Sequence, residues 1–425
     1  MNMRSERHVT IVGAGIVGVC SALWLQRDGW AVTLVDSLPP GRGASFGNAG
    51  NISPGAVVPY SIPGSLRQVP GWLFDPTGPL SIRPGYLPRL LPWLFGWVRA
   101  SRKEEALRIS AAMHALHSES FEAYAQLTRG TDAEGLVERI GQLYVSEKPG
   151  AAAGSALAQE MRAKAGVAVQ VLDANDIQQM EPALAHRFQS GILLPDNGRC
   201  RNPHRLVTAL AEVSVRNGAQ IVQGEVMAIQ TEGSRVTRLI LDGGSQLTLD
   251  ALLIAAGAGS GRLLKQFGRS VPIEAERGYH VTLADPGVVL HRPVTHRDWG
   301  FAAQPMDMGL RLAGTVEFAG IGAAPNWRRA DLLMEQAKRM FPGVQTDQVS
   351  RWCGDRPSLP DGLPVLDRMS GVANVFLAFG NSHFGLTAGP VMGRAAAALL
   401  NGRATRLPMQ HFRLDRFGRV PGLFA

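Results

Sequence analysis

Cysteine is scarce in this chain, whose 425 residues include three, at positions 20, 200 and 353, with no CxxC pair. An odd number of widely spaced cysteines argues against a disulfide framework and against a zinc site, so we expect no metal and a reducing compartment, the cytoplasm. Internal repeats and low-complexity tracts are also absent. No apolar run is long enough, and free enough of glycine turns, to predict a membrane-spanning helix.

Charge is sparse as well. Charged residues make up 18% of the chain, and the net charge of +8 comes from scattered arginines and lysines without a dense basic run. This pattern does not favour a nucleic-acid partner. The apolar content of 45% is typical of a globular protein, and 425 residues exceed what one compact core usually supports. We therefore expect two domains.

The clearest motif lies near the amino terminus. Gly13, Gly15 and Gly18 have G-x-G-x-x-G spacing, directly after the apolar run VTIV and before a helical pattern. A second strand-like run, AVTLVD, ends in the acid Asp36. A basic start before an apolar run could also be a secretory signal, but the glycine spacing and the following acid favour a β-α-β unit that binds a dinucleotide.

The loop that follows Asp36 distinguishes between dinucleotides. It reads SLPPGRGASFGNAGNISPG, with Ser45, Asn48 and Asn51 among five glycines. A nicotinamide domain would return quickly to a helix and a third strand. A long loop of glycines and amides can instead approach a flat flavin ring closely and hydrogen-bond its heteroatoms. The alternative is a cluster of solvent-exposed turns.

Dinucleotide-domain features recur along the chain. A hairpin through Gly243 and Gly244 leads into the apolar strand ALLIAAG, and VFLAFG near the carboxyl end precedes a glycine-rich turn and a helix. Strand-like runs such as GYHVTLA and GLRLAGTVEF lie between them. We predict an α/β (α+β) fold with two domains: a discontinuous, Rossmann-like FAD-binding domain of residues 6–60, 196–268 and 350–415, and an inserted substrate-binding domain of residues 61–195 and 269–349 on a mixed β-sheet.

Taken together, several stretches match a known family: VTIVGAGIVG with VTLVD, SFGNAGNISPG, ERGYHVTL, CGDRPSLPDGLPVLD and FGNSHFGLTAG. The chain resembles the FAD-dependent D-amino-acid oxidase and glycine oxidase superfamily, and is most similar to its bacterial D-amino-acid dehydrogenase branch (small-subunit type). The resemblance implies a glutathione-reductase-type FAD fold and non-covalent FAD. It also implies oxidation of the C–N bond of a D-amino acid, or a related and even cyclic one. Hydride would pass from the α-carbon to flavin N5, and the imine product would hydrolyse to an oxo acid.

The resemblance also implies site residues. Expected at the cofactor are Gly13, Ala14, Gly15, Ile16, Val17, Gly18, Asp36, Ser37, Ser45, Asn48, Ala49, Gly50, Asn51, Val226, Gly257, Gly380, Ser382, His383, Phe384, Gly385, Leu386 and Thr387. Expected at the substrate are Arg356, Tyr279, His280 and His383. An arginine suits this site because its planar guanidinium grips a carboxylate through two hydrogen bonds. The alternative for Arg356 is a surface arginine that caps a turn.

Other residues carry weaker expectations. Tyr279 and His280 could equally be half-buried strand residues, and His383 could be an ordinary core or surface histidine. Glu317 could face the site, although we favour an exposed strand carboxylate. Three further candidates are Trp299 and Met306 as pocket residues, for which packing is the favoured interpretation, and Cys353 as a covalent flavin attachment point, which the spacing disfavours.

The segment of residues 71–100, with Trp72, Trp93 and Trp97 beside arginines, could contact a membrane surface or cover the active site, and we favour the cover. Peripheral attachment to the inner face of the membrane therefore stays open. The electron acceptor, oxygen or quinone, is undecided. Rival functions are an NAD-linked dehydrogenase, which the loop disfavours, and a flavin-bearing subunit that needs partner chains for turnover.

Overall fold

A computed structural model describes residues 7–64, 71, 75 and 78–418. Trp72 lies outside the described residues. The helices are α1 Ile16–Arg27, α2 Leu87–Ala100, α3 Lys103–His117, α4 Ser120–Thr128, α5 Ala156–Lys164, α6 Ala174–Met180, α7 Pro203–Arg216, α8 Ser260–Lys265, α9 Arg328–Met340 and α10 Gly385–Leu400.

The strands alternate with these helices along the chain. They are β1 His8–Val12, β2 Ala31–Asp36, β3 Asn51–Ile52, β4 Leu80–Ile82, β5 Val137–Glu138, β6 Gln142–Ser146, β7 Gln170–Leu172, β8 Ser190–Leu194, β9 Gly198–Cys200, β10 Gln220–Gln223, β11 Val226–Glu232, β12 Arg235–Leu241, β13 Gln246–Thr248, β14 Ala251–Ile254, β15 Glu274–Leu283, β16 Val294–His296, β17 Phe301–Met306, β18 Gly309–Phe318, β19 Val349–Ser358, β20 Val365–Arg368 and β21 Val375–Phe379.

A six-stranded sheet forms the first layer, in the order β10-β2-β1-β14-β21-β20. All pairs are parallel except β20 with β21. The central strands read as apolar runs because both of their faces are covered. Helices α1, α7 and α10 contribute to a core on one face, and the β11–β12–β13 meander contributes to a core on the other. The predicted β-α-β unit and α/β class are confirmed.

A nine-stranded mixed sheet forms the second layer, in the order β19-β15-β18-β17-β16-β6-β8-β7, with β4 also paired to β18. Helix α9 packs its buried leucines on one face, and this face holds the second large core. Strand β19 pairs with β15 over its whole length. Residues from 350 to 358 therefore belong to this sheet, whereas the sequence-based boundary assigned them to the FAD-binding domain.

The loop of residues 43–51, hereafter the glycine loop, connects the two layers. It begins beyond β2 of the six-stranded sheet and ends in β3, which pairs with β9 in a small separate sheet. One face of β15, β18 and β19 lies next to this loop, as the contacts below show. The site is therefore assembled between the layers.

Helix α2 is amphipathic. Its inner residues Leu90 and Trp93 pack with Phe318, and Trp93 Nε1 donates to the carbonyl of Ser358 at 3.2 Å. Its outer face leaves Phe95 72% exposed. Among the described residues, no helix combines the length and the apolar character that crossing a bilayer requires.

Candidate cofactor and substrate site

The turn between β1 and α1 needs glycine for steric reasons. Gly13 has φ of 117°, and a Cβ there would overlap the carbonyl of Ala255 at the end of β14. A Cβ on Gly18 would overlap the carbonyl of Gly13 itself. The helix can therefore approach the strands closely, and the backbone at residues 14–17 can approach a ligand closely.

Two side chains close this turn. Asp36 at the end of β2 accepts from the N–H of Ala14 at 2.7 Å and from the N–H of Leu38 at 3.0 Å. Ser45 Oγ accepts from the N–H of Ile16 at 3.1 Å, although the helix cap itself is Gly15. These contacts place the acid and the glycine loop at the positive end of α1, where backbone N–H groups favour phosphate.

The second layer holds the glycine loop through its carbonyls. Arg311 Nη1, from β18, donates to the carbonyl of Asn48 at 2.7 Å and of Phe46 at 3.2 Å. Gln304 Nε2, from β17, donates to the carbonyl of Gly50 at 3.3 Å. Burial lowers the pKa of the Arg311 guanidinium to about 10, which leaves it charged at neutral pH. Sequence reasoning missed both residues, since polar residues of mixed strands have no distinctive spacing.

His280 belongs to the same support. Its Nδ1 lies 3.2 Å from the carbonyl of Gly47, and its ring stacks on Trp352 with centroids 5.1 Å apart. The Trp352 ring in turn covers Gly47 so closely that a Cβ there would overlap it. Burial, followed by the charge of Arg311, lowers the pKa of His280 to about 3, so its imidazole is neutral. The structure thus places His280 beneath the glycine loop, on the same face of β15 as Glu276. Its predicted role at the substrate stays a prediction.

The start of α10 meets the glycine loop from the opposite side. Thr387 Oγ1 accepts from the N–H of Ser53 at 3.1 Å and donates to the carbonyl of Asn51 at 3.3 Å. Ser382, just before the helix, is the one non-glycine residue of the described chain with positive φ, at 46°. The start of α10 therefore lies next to the glycine loop, and the role of residues 382–387 at the flavin stays a prediction.

Several buried polar atoms around this cleft have no hydrogen-bond partner within the described structure. They are Asn51 Oδ1, Gln304 Oε1, Asn381 Oδ1 and Ser382 Oγ. Unsatisfied buried polar atoms are costly, and in native proteins they usually have a partner. Their grouping beside the glycine cradle fits a site built for a large polar cofactor.

Three charged side chains form a cluster on the face of β15 and β19 next to the loop. Glu276 and Arg356 are cross-strand partners, and Nη1 of Arg356 lies 3.6 Å from Oε1 of Glu276. His383 Nε2 lies 2.5 Å from the same oxygen. The guanidinium lies flat over Gly278, where a Cβ would overlap it. The predicted pair Arg356 and His383 is therefore brought together, and Glu276 is the residue that joins them.

Glu276 stays ionised despite its burial. Desolvation alone would raise its pKa, but the charges of His383 and Arg356 and a hydrogen bond from Ser358 outweigh it, so the pKa is lowered to about 2. The ring of Tyr60 packs against His383 in a tilted arrangement, with centroids 4.6 Å apart. A cluster with two basic groups and one carboxylate can accept the carboxylate of a ligand.

Tyr279 is not part of this cluster. Its side chain points to the opposite face of the sheet, where its hydroxyl donates to Glu317 at 2.6 Å and accepts from the N–H of Asn326 at 2.7 Å. Successive strand residues point to opposite faces, so a tyrosine next to His280 cannot share its face. Glu317 is 1% exposed, so the expected exposed carboxylate was wrong.

Three weaker candidates are also located. Cys353 lies on the Tyr279 side of β19 and packs with the second core, and burial raises its pKa. Trp299 stacks on His296 with centroids 3.9 Å apart, consistent with packing. Met306 alone lies at the glycine loop, since a Cβ on Gly50 would approach its Cε.

The remaining cofactor candidates lie at the ends of strands in the first layer. Val226 begins β11 and is buried, Gly257 and Gly380 have positive φ just beyond β14 and β21, and the carbonyl of Ser37 accepts from Gln223. These positions follow the carboxyl ends of parallel strands, where open α/β sheets bind ligands.

Comparisons with known proteins agree with this geometry. The family model described as DAO, FAD dependent oxidoreductase, matches residues 8–399. A D-amino-acid oxidase of Bradyrhizobium diazoefficiens is 37% identical over 98% of this chain and 100% of its own length. A D-amino acid dehydrogenase of Rhizobium rhizogenes is 29% identical over 96% of this chain and 100% of its own length.

A solved structure shows the same fold. The L-proline dehydrogenase from P. horikoshii superposes with a TM-score of 0.75 at 17% identity, covering 97% of this chain and 98% of its own. A flavin dinucleotide fits three features of the site: the glycine loop, Asp36 at the end of β2 and the unpaired polar atoms. The fold, the site and the family therefore agree. The chain belongs to the DAO family of FAD-dependent oxidoreductases, and its cofactor is FAD.

Proposed function

We propose that this enzyme oxidises the C–N bond of a D-amino acid, or of a related amino acid such as a cyclic one, to an imine that hydrolyses to an oxo acid. The names of the two relatives, a D-amino-acid oxidase and a D-amino acid dehydrogenase, support the D-amino-acid class. When bound, FAD supplies the two-electron acceptor for the hydride of the α-carbon. The protein contributes binding, orientation and control of a proton.

One observation carries the proposal: a guanidinium and a histidine share a buried carboxylate next to the cofactor cradle. Arg356 would bind the substrate carboxylate through two hydrogen bonds, and its stacking on Gly278 fixes the plane in which it does so. A carboxylate held at one point, together with the walls of the site, decides which face of the α-carbon meets the flavin. The residues proposed to hold the cofactor are those expected from the sequence.

The direct test replaces Arg356 in the FAD-loaded enzyme. Arg356→Ala should retain FAD and raise the KM for a D-amino acid by about 100-fold. Arg356→Lys should give an intermediate KM, because lysine keeps the positive charge but cannot form the two parallel hydrogen bonds of a guanidinium. A charge-matched surface control is Arg216→Ala on α7, whose side chain is exposed. Unaltered KM in Arg356→Ala would remove this residue from the substrate site.

The stereochemical class needs its own experiment. Anaerobic mixing with a panel of D- and L-amino acids, including cyclic ones, should bleach the flavin absorbance with D-amino acids. Bleaching by L-amino acids alone would overturn the proposed chirality. Comparing oxygen uptake with the reduction of an artificial dye then identifies the type of electron acceptor, and turnover by the isolated chain excludes a need for partner subunits.

We further propose that FAD is held without a covalent bond, because Cys353 lies on the far face of β19. Denaturation in acid should release all yellow colour from the polypeptide. Colour that stays with the precipitated chain would contradict this.

A further inference from the structure

We propose that His383 is the base that accepts a proton from the ammonium group of the substrate, and that Glu276 is the positioning residue that orients it. The inference deepens the function proposed above and rests on it. It concerns two residues of this chain, one on the turn before α10 and one at the start of β15.

The contact between them fixes the role of each ring nitrogen. His383 Nε2 lies 2.5 Å from Glu276 Oε1, so Nε2 carries the proton that the carboxylate attracts. In a neutral imidazole the other nitrogen, Nδ1, then has the free lone pair. The described structure gives Nδ1 no hydrogen-bond partner. A carboxylate that sets the tautomer of a catalytic histidine is a known arrangement in enzymes.

The group proposed to bind the substrate carboxylate lies beside His383. Arg356 Nη1 lies 3.6 Å from the same Glu276 oxygen, so the carboxylate-binding group and the base are neighbours. In an α-amino acid one carbon separates the carboxylate from the nitrogen. A substrate whose carboxylate pairs with Arg356 would therefore hold its ammonium group close to the cluster that contains His383.

The charged and titratable groups that face His383 come from three elements. They are Glu276 on β15, Arg356 on β19 and Tyr60 in the segment after the glycine loop. Despite its burial, the charges of His383 and Arg356 lower the pKa of Glu276 to about 2, so its carboxylate is ionised when His383 carries a proton. It therefore stabilises the imidazolium that forms when His383 takes a proton. The positive charge of Arg356 has the opposite effect on the imidazolium.

The proton transfer completes the balance of the reaction. At neutral pH the substrate nitrogen is an ammonium group without a lone pair. Its N–H proton would pass to His383 Nδ1, and the freed lone pair would form the C=N bond once the α-hydrogen is lost as hydride. Bound FAD would supply the two-electron acceptor. The proton then moves from His383 to solvent, which its partly exposed side chain can reach. General bases of this kind contribute roughly 100- to 10,000-fold in rate.

Flavin reduction measured against pH in anaerobic stopped flow tests the proposal. In the wild type the rate should rise with pH and then level off, because a general base acts only without its proton. His383→Asn should lower the rate by about 100-fold and lose this rise, and Glu276→Gln should move it to lower pH, because the imidazolium loses its partner. The control His186→Asn changes an exposed histidine and should match the wild type. Slower variants that keep the wild-type pH dependence would overturn the proposal.

A second readout does not depend on turnover. Nitrogen-15 NMR of the histidine rings should show neutral His383 with its proton on Nε2, and a proton on Nδ1 would overturn the proposal. Propionate, a carboxylate without an amine, should perturb the flavin spectrum of the wild type and His383→Asn equally. If no amino acid reduces the wild-type flavin, the proposed function fails. If amino acids reduce it and His383→Asn keeps the pH dependence, only this inference fails.

Discussion

Gly278 shows how a single missing side chain shapes the site. The guanidinium of Arg356 lies directly on its backbone, in the space that a Cβ would fill. Gly278→Ala should push the guanidinium away and raise the KM for the amino acid by about 10-fold or more, with kcat changed less, because an arginine that is displaced by 1 Å binds its carboxylate poorly.

The matched control for this change is Gly85→Ala, since a Cβ at Gly85 meets open space. FAD content measured by absorbance should equal that of the wild type in both variants. A KM in Gly278→Ala that equals that of the control would show that the stacking on Gly278 does not orient Arg356.

At the residue scale the sequence predicted Arg356 and His383 but not the residue that joins them. Glu276 could have been found from the period of two in ERGYH, which places Glu276, Gly278 and His280 on one face of a strand. The same rule places Tyr279 on the other face. What no local pattern reveals is that Arg356 lies across from Glu276, because that register depends on a strand more than seventy residues away.

At the scale of elements, the glycine loop depends on the second layer for its shape. Arg311 donates to two of its carbonyls, and both bonds are partly buried. Arg311→Met should leave these carbonyls unsatisfied and weaken FAD binding by at least about 10-fold, since each hydrogen bond from a charged group contributes about 1.5–3 kcal/mol. Titration of the apoprotein with FAD, followed by flavin fluorescence, measures this.

Arg216→Met provides the comparison, because Arg216 lies exposed on α7. It removes the same charge far from the loop. Equal FAD affinity in the two variants would mean that the loop holds its conformation without Arg311, and the role assigned to that residue would be lost.

Helix α2 presents two faces with different roles. The inner face packs on Phe318 and donates a hydrogen bond to the carbonyl of Ser358 at the end of β19, so it covers the substrate layer. The outer face exposes Phe95, Leu91 and Val98 near the exposed arginines 89 and 99. Apolar and basic residues together suit the surface of an anionic membrane.

We predict that the holoprotein sediments with vesicles containing anionic lipid at low salt, and that Phe95→Glu reduces the bound fraction several-fold through lost burial and added repulsion. Val171→Glu is the control, because Val171 is 75% exposed at a distant edge strand. If the wild-type protein is absent from the pellet, α2 does not bind the membrane, and its role is only to cover the nine-stranded sheet.

Elements with strong local signals were predicted correctly. The β-α-β unit and the hairpin through Gly243 and Gly244 follow from turn glycines and apolar runs, and the structure confirms both. Strand β19 was assigned to the wrong layer. Its sequence VSRWCGDRPS lacks the apolar alternation of a strand, because one side carries site residues and its outer edge is unpaired within the described chain.

At the scale of the whole molecule, neither layer contains the site alone. The cradle comes from the carboxyl ends of the six-stranded sheet, and the charged cluster comes from one face of the nine-stranded sheet. The glycine loop, Arg311 and the turn before α10 connect the two. Buried polar groups at this junction are neutral or paired. Because acid would protonate these groups, the free energy of unfolding depends on pH.

Three buried histidines, His117, His280 and His296, share the direction of this sensitivity, because burial lowers the pKa of each. Burial lowers the pKa of His117 to about 4 and that of His280 to about 3, from an ordinary value near 6.5 in the unfolded chain. Below pH 6.5 these histidines therefore bind protons in the unfolded chain but stay neutral in the folded protein. Stability is fully present above pH 6.5 and falls as the pH drops, by up to about 1.4 kcal/mol per pH unit for each histidine.

We therefore predict that the free energy of unfolding in urea decreases steeply between pH 6.5 and 5, and that His117→Asn reduces this slope by about 1.4 kcal/mol per pH unit. The range stays above the window of Glu276, whose stabilising charge is lost only as the pH falls from 4.5 towards 2. His186→Asn, which changes an exposed histidine, should keep the wild-type slope. If His117→Asn also keeps it, His117 takes up its proton in the folded protein, and its burial against the carbonyl of Ala56 does not hold it neutral.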